Sequence, residues 1–124
     1  MRKTKFLFEN LDVWQKTMDF SAKVIEAVEK IETNRKHYRV IEQLEAAATS
    51  IALNIAEGKG RYSKKEFIQF LYVARGSLYE TITLLILFHR MNWINDAQLE
   101  EFEMLAEEIS KMISNLIVSI RKSF

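Results

Sequence analysis

The chain has 124 residues, a net charge of +1, no cysteine, no proline and only three glycines. That length suits one domain with a core of its own, and the missing cysteines exclude disulfides and thiolate metal sites. So few breakers among so many Leu, Ile, Ala, Glu and Lys residues favour helix throughout, and the near-neutral total by itself argues for no nucleic-acid partner.

Met1-Arg2-Lys3-Thr4-Lys5 is followed by no long apolar run, so it does not read as a secretory signal. The first helix is expected from Asn10 or Asp12 to about Glu32. Leu11, Trp14, Met18, Ser21, Ile25 and Val28 form one stripe, widened by Val13, Phe20, Val24, Ala27 and Ile31. Thr33-Asn34-Arg35-Lys36 reads as a polar connection. The second helix runs from His37 or Tyr38 to Glu57, with Val40, Ile41, Leu44, Ala47, Ala48, Ile51 and Ile55 inward. Its alanines let a neighbour approach closely. Gly58 suits a C-terminal cap with positive φ.

Ser63-Lys64-Lys65-Glu66 has the form of a capping box and starts the third helix, which extends to about Met91. Phe67, Phe70, Leu71, Ala74, Leu78, Leu85 and Phe88 share one face. Ile68, Tyr72, Val73, Tyr79, Ile86 and Leu87 lie off it, so the second half is apolar nearly all round. In so small a bundle that points to a subunit interface. The fourth helix begins near Asn95-Asp96, with Gln98 as capping partner, and runs to about Lys122. Leu99, Phe102, Ala106, Ile109, Ile113, Leu116 and Ile120 form its stripe. The longest strongly apolar stretch, Ile82 to Phe88, falls short of the roughly 20 residues a membrane span needs. A cytoplasmic protein with no membrane partner is the expectation. Four helices of similar length joined by short links predict an all-α, antiparallel up-down-up-down four-helix bundle in one domain over residues 1–124.

Enzyme chemistry has little to build on. The only histidines are His37 and His89, and neither has a glutamate three places earlier for a bundle metal site. Gly58-Lys59-Gly60 is too short for a phosphate loop, and no spacing suggests a catalytic triad. The expectation is a protein without catalytic residues, cofactor or metal.

Topology makes the charge informative. An up-down-up-down bundle gathers the N-terminus, the second turn and the C-terminus at one end. That end holds Arg2, Lys3, Lys5, Lys59, Arg61, Lys64, Lys65, Arg121 and Lys122 against Glu9, Asp12, Glu57 and Glu66. Nine cations less four anions is +5; the total is +1, so the rest of the chain is −4. Such an end suits a phosphate backbone. It equally suits a solvated bundle end where lysines collect. Tyr62 reads first as packing against that end and second as a base-stacking ring.

Two blocks, Ser50-Ile51-Ala52-Leu53-Asn54-Ile55-Ala56-Glu57-Gly58 and Ala74-Arg75-Gly76-Ser77-Leu78-Tyr79-Glu80, carry a resemblance, as do Gly60-Arg61-Tyr62-Ser63-Lys64-Lys65-Glu66-Phe67 and Phe8-Glu9-Asn10-Leu11-Asp12-Val13-Trp14. Over nearly its whole length the chain resembles the four-helix-bundle proteins encoded in intervening sequences of bacterial 23S rRNA genes, once labelled S23 ribosomal proteins. That family includes the accessory variability protein of diversity-generating retroelements. The resemblance implies a homo-pentameric ring, binding to RNA or DNA, and a reverse transcriptase as partner. Arg61, Lys64, Lys65 and Arg75 match the family's basic pattern. Glu45 and Ala46 stand where members often carry two arginines, and Ala52 stands where proline is common.

The candidate nucleic-acid contacts are therefore Lys59, Arg61, Lys64, Lys65, Arg75, Arg121 and Lys122. Structural or interface candidates are Trp14, Glu45, Asn54 and Gly76. Asn54 reads as a hydrogen bond that fixes packing register, or as a ligand contact. Arg75 is expected level with Glu45 to Ala47, forming an ion pair with Glu45 within a subunit or across an interface. Gly76 and Ser77 are expected at a close helix contact, Trp14 as a core or interface anchor, and Trp93 as a cover for the far end. The leading reading is a homo-oligomer that binds nucleic acid and serves a reverse transcriptase. The alternative is a protein-interaction scaffold with no nucleic-acid role.

Overall fold

The computed structural model describes residues 6–33 and 37–124. A 3-10 turn over Leu7–Asn10 precedes four helices: α1 (Asp12–Glu29), α2 (Tyr38–Lys59), α3 (Lys64–Arg90) and α4 (Asp96–Lys122). The described residues contain no strand. Side-chain pairs give the directions. Lys16 meets Glu108 at 2.6 Å and Lys23 meets Glu101 at 3.2 Å, so seven residues forward on α1 is seven back on α4. Arg75 meets Ser114 and Tyr79 meets Ser110, so four forward on α3 is four back on α4. Both pairs of helices are antiparallel, and α1 touches α2 and α4 while α3 touches α2 and α4.

The core takes Val13, Phe20, Val24 and Val28 from α1, Leu44, Ala48, Ile51 and Ile55 from α2, Leu71, Leu78, Leu85 and Phe88 from α3, and Phe102, Ile109 and Ile113 from α4. On α1 it is thus the second expected stripe that faces inward. From the first stripe, Met18 is exposed, and Trp14 and Ile25 are half-buried beside α2. α1 stops at Glu29, three residues early, with Lys30 as cap. Its start is held by the preceding turn, where Glu9 accepts from the Phe6 amide at 2.9 Å and Gln15 Nε2 donates to the Glu9 carbonyl at 2.8 Å. Asn34, Arg35 and Lys36 of the expected polar connection lie outside the described residues.

Caps explain the other boundaries. Asn95 and Gln98 form the full capping box, each side chain bonded to the other's backbone amide at 2.8 Å. At α3 the Ser63 hydroxyl accepts from the Glu66 amide at 3.2 Å, and the reciprocal glutamate bond is not made. α3 ends in a Schellman turn. Asn92 takes the left-handed conformation at φ 63, Asn92 N–H reaches His89 O at 3.0 Å and Trp93 N–H reaches Phe88 O at 2.9 Å. The Trp93 ring then packs on Phe88 with centroids 4.9 Å apart and on His37 at 4.8 Å, closing that end. By length and composition α3 alone would also pass for a membrane-crossing segment, which a count of unbroken apolar residues overlooks. Here one side of it is bundle core.

Gly58 is not a positive-φ cap. α2 continues to Lys59, Gly60 is the cap at φ −79, and no described glycine has positive φ. Gly58 is needed for space: a Cβ there would stand 2.6 Å from Phe70 Cβ and 3.0 Å from Phe67 Cδ1. The Phe70 Cβ moves only with its backbone, so α2 and α3 would have to part. Gly58→Ala is expected to destabilise by about 1–2 kcal/mol, overpacking outweighing the helix-propensity gain. Gly60→Ala, whose Cβ would meet nothing closer than 3.6 Å, is expected to be neutral or mildly stabilising. Urea unfolding of the two variants checks the contrast.

Candidate functional site

α2 ends, α3 begins and α4 ends at the same end of the bundle, and α1 begins there. Two helix N-termini and two C-termini oppose their dipoles, so side chains dominate the local field. Around the start of α3 stand Lys59, Arg61, Lys64, Lys65, Arg121 and Lys122. Lys64 Nζ donates to the Ser123 carbonyl at 2.9 Å, bringing the α2–α3 turn against the end of α4. Lys65 and Lys122 are exposed.

Several of these cations lie on rings. Lys59 Nζ sits 5.8 Å from the Phe67 centroid and the Arg61 guanidinium 4.8 Å from that of Phe70. Tyr72 is flanked by two guanidinium groups, Arg75 at 5.0 Å and Arg121 at 5.6 Å, and Arg121 also donates to its hydroxyl. Each such contact is worth about 0.5–1 kcal/mol at an exposed site. Their larger effect is to hold flexible stems in place while the charged heads stay in water.

The acids at this end are differently placed. Glu9 is buried in the N-terminal turn, and Glu57 pairs with Arg61 at 2.9 Å. Six described cations less Glu9, Asp12, Glu57 and Glu66 leave +2. Arg2, Lys3 and Lys5, which raise the expected figure, lie outside the described residues.

Arg75 and Glu45 do not pair within the chain. Arg75 Nη1 donates to Ser114 Oγ at 3.1 Å on α4. The register between α2 and α3 is set elsewhere. Ser50 and Ser77 hydroxyls meet at 3.0 Å, and Asn54 Nδ2 donates to Ser50 O at 2.7 Å and Ser50 Oγ at 2.9 Å. That contact puts Arg75 level with Ala52, about two turns from Glu45. Ser77 is at the helix contact as expected, whereas Gly76 faces solvent with nothing within 4 Å of its would-be Cβ.

Tyr62 also departs from expectation. It does not pack against the bundle end: its relative exposure is 106%, as open as an isolated residue. It sits in the bend between α2 and α3, directly after Arg61.

Two apolar surfaces lie along the sides of the bundle. One is an open groove of about 430 Å³ between α1 and α2, walled by Phe8, Trp14, Met18, Ile25, Ala52 and Leu53. Trp14 is anchored there on Phe8, centroids 5.1 Å apart. The other is the outer face of α3, where Val73, Gly76, Tyr79, Thr83 and Leu87 are exposed with only Glu80 charged among them. No group of three His, Cys, Asp or Glu side chains converges as a metal site among the described residues.

The architecture is that of an all-helical four-helix protein. A family model for the 23S rRNA-intervening sequence protein matches residues 9–115. The chain belongs to that family. Among solved structures it is similar to a crystal structure of a protein with unknown function from the S23 ribosomal protein family of Bacteroides thetaiotaomicron VPI-5482. The two are 27% identical, with a TM-score of 0.78 over 85% of this chain and 97% of that one. No curated protein matches significantly.

Proposed function

We propose that this protein is a non-enzymatic, self-associating helical bundle whose basic end holds the phosphate backbone of RNA or DNA. The observation that carries the reading is the ring of cations at the start of α3, several braced on aromatic faces, with Glu9 turned inward and Glu57 committed to Arg61. Braced cations lose less side-chain freedom on meeting an anion. Contacts of this kind position a duplex or strand without reading its sequence. A reverse transcriptase working on the held nucleic acid is the partner that the family likeness suggests. Titration of the protein into fluorescein-labelled RNA hairpin and duplex DNA at low salt tests the reading. Saturable binding is expected, and no binding to either would leave a protein scaffold as the better account.

Self-association rests on the outer face of α3. An exposed mid-helix glycine costs about 1 kcal/mol against alanine, a cost that close approach by another helix offsets. Val73, at 53% exposure, and Leu87 flank it. Assembly into a pentameric ring would set the basic ends side by side as a rim. The double variant Val73→Glu/Leu87→Glu is expected to sediment as a monomer with unchanged helix content. An unchanged oligomer would place the contact elsewhere. The scaffold reading is favoured by one observation, the apolar groove with Leu53 at 66% exposure.

A further inference from the structure

We propose that the basic end takes nucleic acid with unpaired bases, and that Tyr62 is the ring on which one of them stacks. This rests on the nucleic-acid reading above and narrows it to a substrate class. Tyr62 is fully exposed, with no hydrogen bond or ring contact among the described residues. Of the other aromatic side chains of this end, Phe67 is buried under Lys59, Phe70 is covered by Arg61, Tyr72 is held between Arg75 and Arg121, and Phe6 stacks on Phe8, while the terminal Phe124 is 71% exposed. Tyr62 is the most exposed of these rings, and it stands in the α2–α3 turn among the cations.

Its neighbours specify the ligand. Arg61, Lys64 and Lys65 lie within three residues of it, and Gly60 and Ser63 flank the bend with no bulk. A protein hot spot would need an apolar surround that excludes water, and here the surround is cationic. A ring among cations matches a strand whose phosphates meet the lysines while a splayed base meets the ring. Bases in a continuous duplex are stacked on one another and offer no face, so the preference is for loops, bulges and single strands.

The test is fluorescence anisotropy with a labelled 12-nucleotide single strand and a fully paired, blunt-ended duplex of the same sequence. The proteins are wild type, Tyr62→Phe, Tyr62→Ala and Lys59→Ala/Arg61→Ala/Lys64→Ala/Lys65→Ala. Tyr62→Ala is expected to weaken single-strand binding by roughly 5- to 100-fold, the range of one base–aromatic stack. Its duplex affinity should stay within about 2-fold, and Tyr62→Phe should bind both as wild type does. Single-strand binding unaffected by Tyr62→Ala but lost in the fourfold variant would overturn the stacking role and leave the phosphate reading standing. Equal loss on both ligands would overturn the preference for unpaired bases. No binding of either ligand by wild type would overturn both proposals.

Discussion

Phe88→Ala is expected to lower the stability of this protein by about 3–5 kcal/mol, since large-to-small changes of a fully buried aromatic carry both a transfer and a cavity term. Phe88 is 0% exposed and does two jobs. Its ring fills the core, and it supports Trp93, whose amide closes the α3 turn on the Phe88 carbonyl at 2.9 Å. Truncation therefore also loosens the cover at that end. Against a total of about 5–15 kcal/mol for a domain, the loss is a fifth or more. In urea, with a slope of about 1–3 kcal/mol/M, the midpoint should fall by roughly 2 M. Tyr62→Ala, which removes no contact within the fold, should leave the midpoint nearly unchanged. A small shift for Phe88→Ala would mean that the end of α3 is not packed as described.

The second large effect is on binding. Removing Lys59, Arg61, Lys64 and Lys65 together is expected to weaken nucleic-acid affinity by on the order of 10³-fold at 0.1 M salt. Each phosphate contact releases counterions with a slope of about 0.9 in log salt, so each is worth roughly 8-fold at that concentration. The four side chains are at the surface, and Glu57–Arg61 is the ion pair broken, an exposed one worth about 0.5 kcal/mol. The variant should therefore fold. Equal affinity in the variant, with intact helix content, would move the phosphate contacts away from the α2–α3 turn.

Much of the fold was legible because helix ends are written in short-range chemistry. Asn95 and Gln98 announce α4, and Ser63 announces α3, because their side-chain oxygens lie three residues from the amides they satisfy. The inward faces of α2, α3 and α4 followed from periodicity except at Ile68, expected off the α3 stripe, and Ile117, left out of the α4 stripe, both of which are buried in the core. On α1 two adjacent stripes are apolar, and periodicity does not say which takes the core and which lines the groove. The Glu45–Arg75 pairing within the chain failed for a related reason. Counting outward from a turn assumes level helices, whereas Ser50, Ser77 and the clearance at Gly58 set the actual slide of α2 on α3. Gly58 itself reads alike as a cap or as a close contact until Phe70 is in view.

At the candidate site, the sequence and topology collected the cations at one end. What they left undecided was which cations are braced, and on which rings. The exposure of Tyr62 was equally hidden. A tyrosine between an arginine and a serine carries no local signal of where its ring goes, because that depends on whether the neighbouring helix ends leave it a surface to lie on. Arg61 takes the Phe70 face and Lys59 that of Phe67, and Tyr62 is left in solvent.

The central claim, that the basic end holds phosphates, is tested most directly by the slope of log affinity against log salt for wild type and the fourfold variant on one duplex. With four contacts the wild-type slope should be about 3.6 units steeper than the variant's. Parallel slopes would contradict the account, because they would mean that those four side chains displace no counterions when the protein binds.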